Sequence, residues 1–435
     1  QEAHFRPAVF VDYAHTPDAL EKVLEALSRL PHRRLICVFG CGGDRDKGKR
    51  AIMGEIAGRR CDVALVTDDN PRSESPPEIV AQIVSGVRLS GLEERSPSWL
   101  MASTVGDKGF LVMHSRAQAI ASAIGAATAE DIVLIAGKGH ELYQLGQDGS
   151  HFFDDSLEAK KGLTAWGLDS LRQALGGQLL GDRLGTRVLG KVVIDSRKVA
   201  AGDIFVALAG ERFDGHDFLD EVAAAGAGCL VVHRETPQET LPAIPCLLVD
   251  DTLRALGDLA AYRRQVMKAV SRPLVVGITG SCGKTTVKEM TAAIFAQHWP
   301  APSDQVLKTS GNFNNLVGLP LSLLPIGPGQ KAVILEMGMN RPGEIDRLAR
   351  IADPDIACIV NVHAAHLEGL HSLEGVARAK EELFAASNEG TTLVINLDDP
   401  HVRACAAKYQ QKKVCYAAGA EGLRYAQARD GSVSL

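Results

Sequence analysis

No apolar run in the sequence approaches the ~20 residues that a membrane-spanning helix requires, and no signal-peptide pattern is present. The expectation is a cytoplasmic protein. A block of like charge is also missing. The 47 basic and 53 acidic residues are mixed along the chain, for a net charge of −6, so nucleic acid is not an expected partner. Paired cysteines are lacking: the nine are scattered singly, several inside apolar runs such as "LICVF" and "DIACIV". That distribution suits buried thiols in a reducing compartment and argues against a disulfide framework. Cys37 and Cys41 stand at CxxxC spacing, but no second pair completes a zinc site. Short-period repeats and low-complexity tracts are absent as well. What remains is a chain of 435 residues of ordinary globular composition, enough for two to four domains.

The first 155 or so residues alternate short apolar runs with helix-like stretches. "AVFVDY" precedes Pro17 to Leu30, "RLICVFG" precedes Lys49 to Arg59, "DVALVT" precedes Pro76 to Val87, and "DIVLIA" follows Ser115 to Thr128. This pattern predicts an α/β fold with a parallel sheet covered on both faces. The polar loops after these strands are "DYAHTPD", "GCGGDRDKGKR", "DDNPR" and "GKGHE". They are predicted to share the carboxyl edge of the sheet, where open α/β folds bind ligands. Arg72 in "DDNPR" offers a planar fork for a carboxylate, while Asp69 and Asn70 can accept from an ammonium group. Arg45 is a second candidate anion clamp, and Glu141 of "GKGHE" adds a negative counterpart. The loop set therefore suits an amino acid held by both ends.

Residues 156–170 read as a linker. A small α/β module follows over 171–270, without a phosphate loop of its own, and a third unit spans 271–435. The latter opens on "VVGITGSCGKTTVKEM": a strand, a glycine-rich turn and a helix start. Gly280 and Gly283 let successive N–H groups wrap a phosphate at the positive end of a helix. Lys284 would neutralise the outer phosphates, and the Thr285 hydroxyl can ligate Mg²⁺, with Thr286 beside it. Glu336 ends the strand "AVILE" and His366 lies just beyond "DIACIVNV", so both are expected at the same sheet edge, serving a second Mg²⁺. Lys380, in "ARAKEELF", reads on its own as a surface lysine. Asn312, Asn314 and Asn315 in "GNFNNLVGLP" suit either a hydrogen-bonding loop or an ordinary turn. "NLDDP", from Asn396, suits either a nucleoside contact or a helix cap.

These motifs resemble the Mur ligases, the ATP-dependent amide-forming enzymes of peptidoglycan synthesis, and do so twice. Residues 8 to about 155 resemble the C-terminal domain of the branch that adds meso-diaminopimelate. Residues 168–435 resemble the N-terminal and central domains of the branch that adds D-alanyl-D-alanine, through "DSRKVAAGDIFVALAGERFDGHDF", "GITGSCGKTT", "GNFNNLVGLP", "LEMGMNRPGEI", "AHLEGLHSLEGVARAKEELF" and "INLDDP". The resemblance implies a Rossmann-like ligase domain, a small UDP-binding domain and a phosphate-loop ATPase domain that stops short. ATP would activate the terminal carboxylate of a UDP-linked muramoyl peptide, and an amine would displace the phosphate.

The family pattern places ATP and Mg²⁺ on Lys284 and Thr285, and a second metal on Glu336, His366 and Lys380, the last as a carbamate. It places the UDP end at Ser196 and Arg197, the muramoyl peptide at Asn312 and Asn315, and adenine at Asn396. Diaminopimelate falls to Arg45, Asp69, Asn70, Arg72, Gly137 and Glu141, with His15 in the neighbouring loop. The expectation is a stretch of a bifunctional ligase with little turnover by itself. A non-catalytic scaffold for muramoyl-peptide intermediates, or a folylpolyglutamate-type ligase, stands as the alternative.

Overall fold

The computed structural model describes residues 6–181, 188–210, 213–299, 305–364, 370 and 372–418, with 419 and 422–428 as backbone alone. The chain forms two compact units, Gln1–Ala165 with Thr186–Val188, and Trp166–Gly185 with Leu189–Leu435. No helix among the described residues is long and apolar enough to cross a membrane.

The first unit is built on strands β1 (Ala8–Asp12), β2 (Leu35–Phe39), β3 (Val63–Val66), β4 (Gly109–Val112) and β5 (Ile132–Ala136). They form a parallel sheet in the order β1-β5-β2-β3-β4. β2, β3 and β5 are buried throughout, which is why they read as continuous apolar runs rather than alternating ones. Strand β4 went unread in the sequence because it is four residues long and opens on a glycine. A two-stranded hairpin, β6 (Tyr143–Gly146) and β7 (Gly149–Phe152), follows β5.

The stretch 156–170, expected as a linker, is largely helical and holds the division between the two units. Asp155–Leu163 and Leu168–Leu175 are helices, the first capped by Asp154. Ala159 of the first helix is buried in the first unit's core, while Leu168 and Leu171 are buried in the core of the second. The unit boundary thus runs between two short helices, each held by its own apolar face.

The second unit holds two sheets. β8 (Gln178–Leu180), β9 (Val192–Val193), β10 (Ile204–Val206), β11 (Cys229–His233) and β12 (Cys246–Val249) lie in the order β8-β12-β11-β10-β9, with β8 antiparallel. The larger sheet contains β13 (Leu274–Thr279), β14 (Val306–Lys308), β15 (Ala332–Glu336), β16 (Ile356–Ile359), β17 (Thr392–Asn396), β18 (Lys413–Gly419) and β19 (Gly422–Ala428). Its order is β14-β15-β13-β16-β17-β18-β19, parallel except for β19. The predicted boundary at 270/271 marks a change of sheet but not of core. Helix Thr252–Val270 buries Leu256, Leu259 and Ala260 in one cluster that takes in residues of both sheets, from Val231 to Leu335.

Candidate functional site

In the first unit the four predicted loops do meet at the carboxyl edge of the sheet. They line a cleft of ≈ 660 Å³ whose walls include His15, Arg45, Asp69, Asn70, Arg72, Gly137 and Glu141. Two loops are locked to one another. Gly43 N donates to Asn70 O at 2.9 Å, and Arg72 Nη1 donates to Gly43 O at 2.7 Å. Asp44 accepts from the Ser73 hydroxyl at 2.6 Å. Asp44 and Arg72 both sit at positive φ (53° and 54°), a conformation that non-glycine residues keep only when neighbours impose it. Below them Arg50, fully buried, bonds both Glu74 oxygens and Gly42 O, and holds the Glu74 carboxyl down at about 2.

The cleft mixes both signs. Arg45 is exposed, Asp69 and Asn70 are buried, and Asn70 Nδ2 donates to Glu141 Oε2 at 3.1 Å. The hairpin roofs this loop: Leu145 N donates to Asn70 Oδ1 at 2.9 Å and Gln144 Nε2 to Asp69 O at 2.7 Å. His15 is exposed and turned onto the Tyr13 carbonyl at 2.8 Å. Cys41, also in the lining, is a buried thiol pushed up to about 12 by desolvation, so it contributes shape rather than a nucleophile. Reading the sequence passed over Lys138 and Arg50, because a lysine or arginine in a polar loop reads as solvated until its burial is known.

In the second unit β13 runs into the loop Gly280–Gly283 and the helix Lys284–His298, with Gly283 at φ 77° as its N-cap. Lys284 Nζ curls back onto Gly280 O at 2.7 Å. The cradle differs from the sequence expectation in one respect. The N–H groups of Ser281 and Cys282 donate to Asn361 Oδ1 at 3.1 and 3.0 Å, so they brace the loop against the end of β16. Asn361 was not singled out from sequence; its signal was an amide one residue past "ACIV".

Glu336, only 2% exposed at the end of β15, collects the neighbouring groups. Thr285 Oγ1 donates to its Oε2 and Asn314 Nδ2 to its Oε1, each at 2.9 Å. Lys288 Nζ stands 3.9 Å from Oε2. Thr286 is exposed on the first helical turn. Lys380 is buried, not a surface residue. Its amine is pushed down to about 8, first by desolvation and then by the charge of Lys284. His366 lies outside the described residues. Among the described residues no group of three His, Cys, Asp or Glu side chains gathers to hold a metal ion. The hydroxyl of Thr285 and the carboxylate of Glu336 are nonetheless hard oxygen donors at the loop mouth. That suits Mg²⁺, which takes one or two protein oxygens and fills its shell with water and phosphate.

The asparagines separate. Asn314, not Asn312 or Asn315, reaches Glu336, while Asn315 Oδ1 caps helix Gly318–Leu323 by accepting from Val317 N and Gly318 N. Asn312 is exposed. Asn396 Nδ2 donates to Val360 O at 3.0 Å, and the helix cap in "NLDDP" is Asp399. Ser196 and Arg197 lie in the single 3₁₀ turn Ser196–Lys198 beyond β9, where Arg197 forks onto Asp195 at 2.8 and 2.9 Å and stays exposed.

Three family descriptions match along the chain: Mur ligase, glutamate ligase domain over residues 2–139, Mur ligase family, catalytic domain over 189–264, and Mur ligase middle domain over 278–432. The chain belongs to the Mur ligase family. It is 43% identical over 232 residues to UDP-N-acetylmuramoyl-tripeptide--D-alanyl-D-alanine ligase of Escherichia coli, covering 53% of this chain and 48% of that one. It is 48% identical over 161 residues to UDP-N-acetylmuramoyl-L-alanyl-D-glutamate--2,6-diaminopimelate ligase of Ectopseudomonas mendocina, covering 37% of this chain and 30% of that one. The crystal structure of MurF from Acinetobacter baumannii is similar at a TM-score of 0.52 and 31% identity, over 60% of each chain. The chain thus spans about half the length of the first Mur ligase and under a third of the second.

Proposed function

We propose that this chain carries ligand sites of two consecutive peptidoglycan-precursor ligases, fused in one polypeptide. The first adds meso-diaminopimelate to a UDP-muramoyl dipeptide, and the second adds D-alanyl-D-alanine to the resulting tripeptide, each using ATP and Mg²⁺. The observation that carries the reading is the arrangement at the second unit's sheet edge, where Lys284, Thr285 and the buried Glu336 converge on the phosphate loop. Likeness to both kinds of ligase in one chain supports the fusion.

A carboxylate is a poor electrophile, and phosphorylation converts it into an acyl phosphate with a good leaving group. Lys284 exchanges its bond to Gly280 O for the outer phosphates and stabilises charge developing there. Thr285 and Glu336 would hold Mg²⁺, which supplies charge neutralisation at the phosphates when bound. Lys288 and Asn314 fix the Glu336 carboxylate from either side. In the first unit Arg72 and Arg45 face the carboxylates of diaminopimelate, and Asp69 and Glu141 face an ammonium group. The test uses UDP-muramoyl tripeptide labelled with ¹⁸O in its terminal carboxylate, D-alanyl-D-alanine and ATP, with this chain and with the full product of its reading frame. Label is expected in the released phosphate. Turnover that leaves the phosphate unlabelled sinks the acyl-phosphate route.

Lys380 supplies a pH-dependent prediction. With its amine pushed down to about 8, the neutral form that attacks CO₂ becomes abundant near pH 8 and scarce below pH 7. Incubation with ¹³C-bicarbonate is expected to give a carbamate resonance that grows from pH 7 to 9 and is missing in Lys380→Arg. A spectrum identical in the two proteins contradicts the assignment.

A further inference from the structure

The side chains that the first unit's cleft offers to an ammonium group all lean on one residue that does not reach the ligand. Lys138 is fully buried. Its Nζ donates to Asn70 Oδ1 and to Tyr143 O, both at 2.8 Å, and lies 3.1 Å from Asp69 Oδ1 and 3.9 Å from Glu141 Oε2. Its ammonium also stands 6.0 Å from the centre of the Tyr143 ring.

Two consequences follow from this geometry. Asn70 Oδ1 accepts from Lys138 and from Leu145 N, so its amide is left to present the NH₂ group to Glu141 Oε2. Asp69 Oδ1 is buried with no well-aligned hydrogen bond, so the approach of Lys138 is its principal compensation. Arg72 bonds Gly43 O and Arg116 bonds Asp155, and Arg116 adds a weaker attraction to Asp69 from farther off.

We propose that Lys138 is the positioning residue of this cleft. Its ammonium ties Asp69, Asn70 and Glu141 into the arrangement that receives the ammonium end of a bound diamino acid. It also sets the joint charge of the two carboxylates and one ammonium at minus one, enough to attract a cation without leaving two acids uncompensated. The proposal rests on the reading that the cleft takes meso-diaminopimelate.

Calorimetric titration of meso-diaminopimelate into the 435-residue chain tests it. Binding by the unaltered chain is expected. Lys138→Met, which keeps the packing and removes the charge, is expected to bind on the order of 10- to 100-fold more weakly, as when an outer-shell partner of a bound group is lost. Lys138→Ala should also bind weakly and be restored by added n-propylammonium, but not by 1-propanol of similar size. Equal binding by Lys138→Met, or equal rescue by the alcohol, overturns the proposal in favour of a packing role. Failure of the unaltered chain to bind removes the reading of the cleft and the proposal with it, and is seen before any variant is compared. Should the variants not fold, the ¹⁵N resonance of the Lys138 ammonium in the unaltered chain decides. It is expected to shift when diaminopimelate is added, and a resonance indifferent to the ligand overturns the proposal.

Discussion

Replacing Lys284 with alanine lowers the rate of ATP-dependent phosphate release by on the order of 10²- to 10³-fold, the loss expected when a preorganised group facing developing charge is removed. The loop itself should survive the change. Gly283 keeps its φ of 77°, and the N–H groups of Ser281 and Cys282 remain tied to Asn361. Among the described residues, the side-chain bond lost is the one from Lys284 Nζ to Gly280 O. The defect should therefore fall on kcat more than on the melting temperature. Measuring both, in the reading-frame product with tripeptide and D-alanyl-D-alanine present, separates the two. Undiminished phosphate release by Lys284→Ala would remove the phosphate-loop reading altogether.

The largest effect on stability is expected at Asp155. Arg116 and Asp155 are both fully buried and meet in a two-pronged ion pair at 2.7 and 2.6 Å, with Arg116 Nη2 also donating to Ala136 O at 3.0 Å. Burial alone would weaken the guanidinium's hold on its proton, but the bonds to Asp155 prevail and raise its pKa above the ordinary value. Asp155→Ala strands this cation in the core of the first unit, and removing one partner of a buried pair costs about 3–5 kcal/mol. For a unit of this size that corresponds to a fall of roughly 6–20 °C in Tm. Replacing both partners, as in Arg116→Met with Asp155→Leu, should recover most of the loss, because the stranded charge rather than the missing attraction dominates. A melt of Asp155→Ala within 2 °C of the unaltered chain, about the shift that 1 kcal/mol produces, would show that water or a rearranged side chain already compensates Arg116.

The first unit's cleft was largely legible in the sequence. Parallel strands place the loops that follow them on one edge, so "DYAHTPD", "GCGGDRDKGKR", "DDNPR" and "GKGHE" had to meet, and the residues drawn from them line one cleft. The phosphate loop was legible because a strand, glycines and a helix start are a local arrangement, while its brace on Asn361 comes from a distant segment and was missed. The misreadings involve distant partners. Ala159 looked like a linker residue because the apolar neighbours that bury it lie elsewhere in the chain. Lys380 looked exposed because neither its burial nor the nearby charge of Lys284 is encoded in "ARAKEELF". Among "GNFNN", only the fold selects Asn314 for Glu336 and leaves Asn315 to cap a helix.

By itself the order of residues determined the α/β class, the edges where ligands are expected and the kinship with the Mur ligases. Hydrophobic periodicity and glycine placement act over a few residues, and a long motif is a local object. Only the tertiary structure decided which charged side chains are buried. Lys138 among Asp69, Asn70 and Glu141, and Arg116 against Asp155, are compensated by groups from separate segments of the chain. Desolvation depends on everything that surrounds a group in space, and no local stretch of sequence records that.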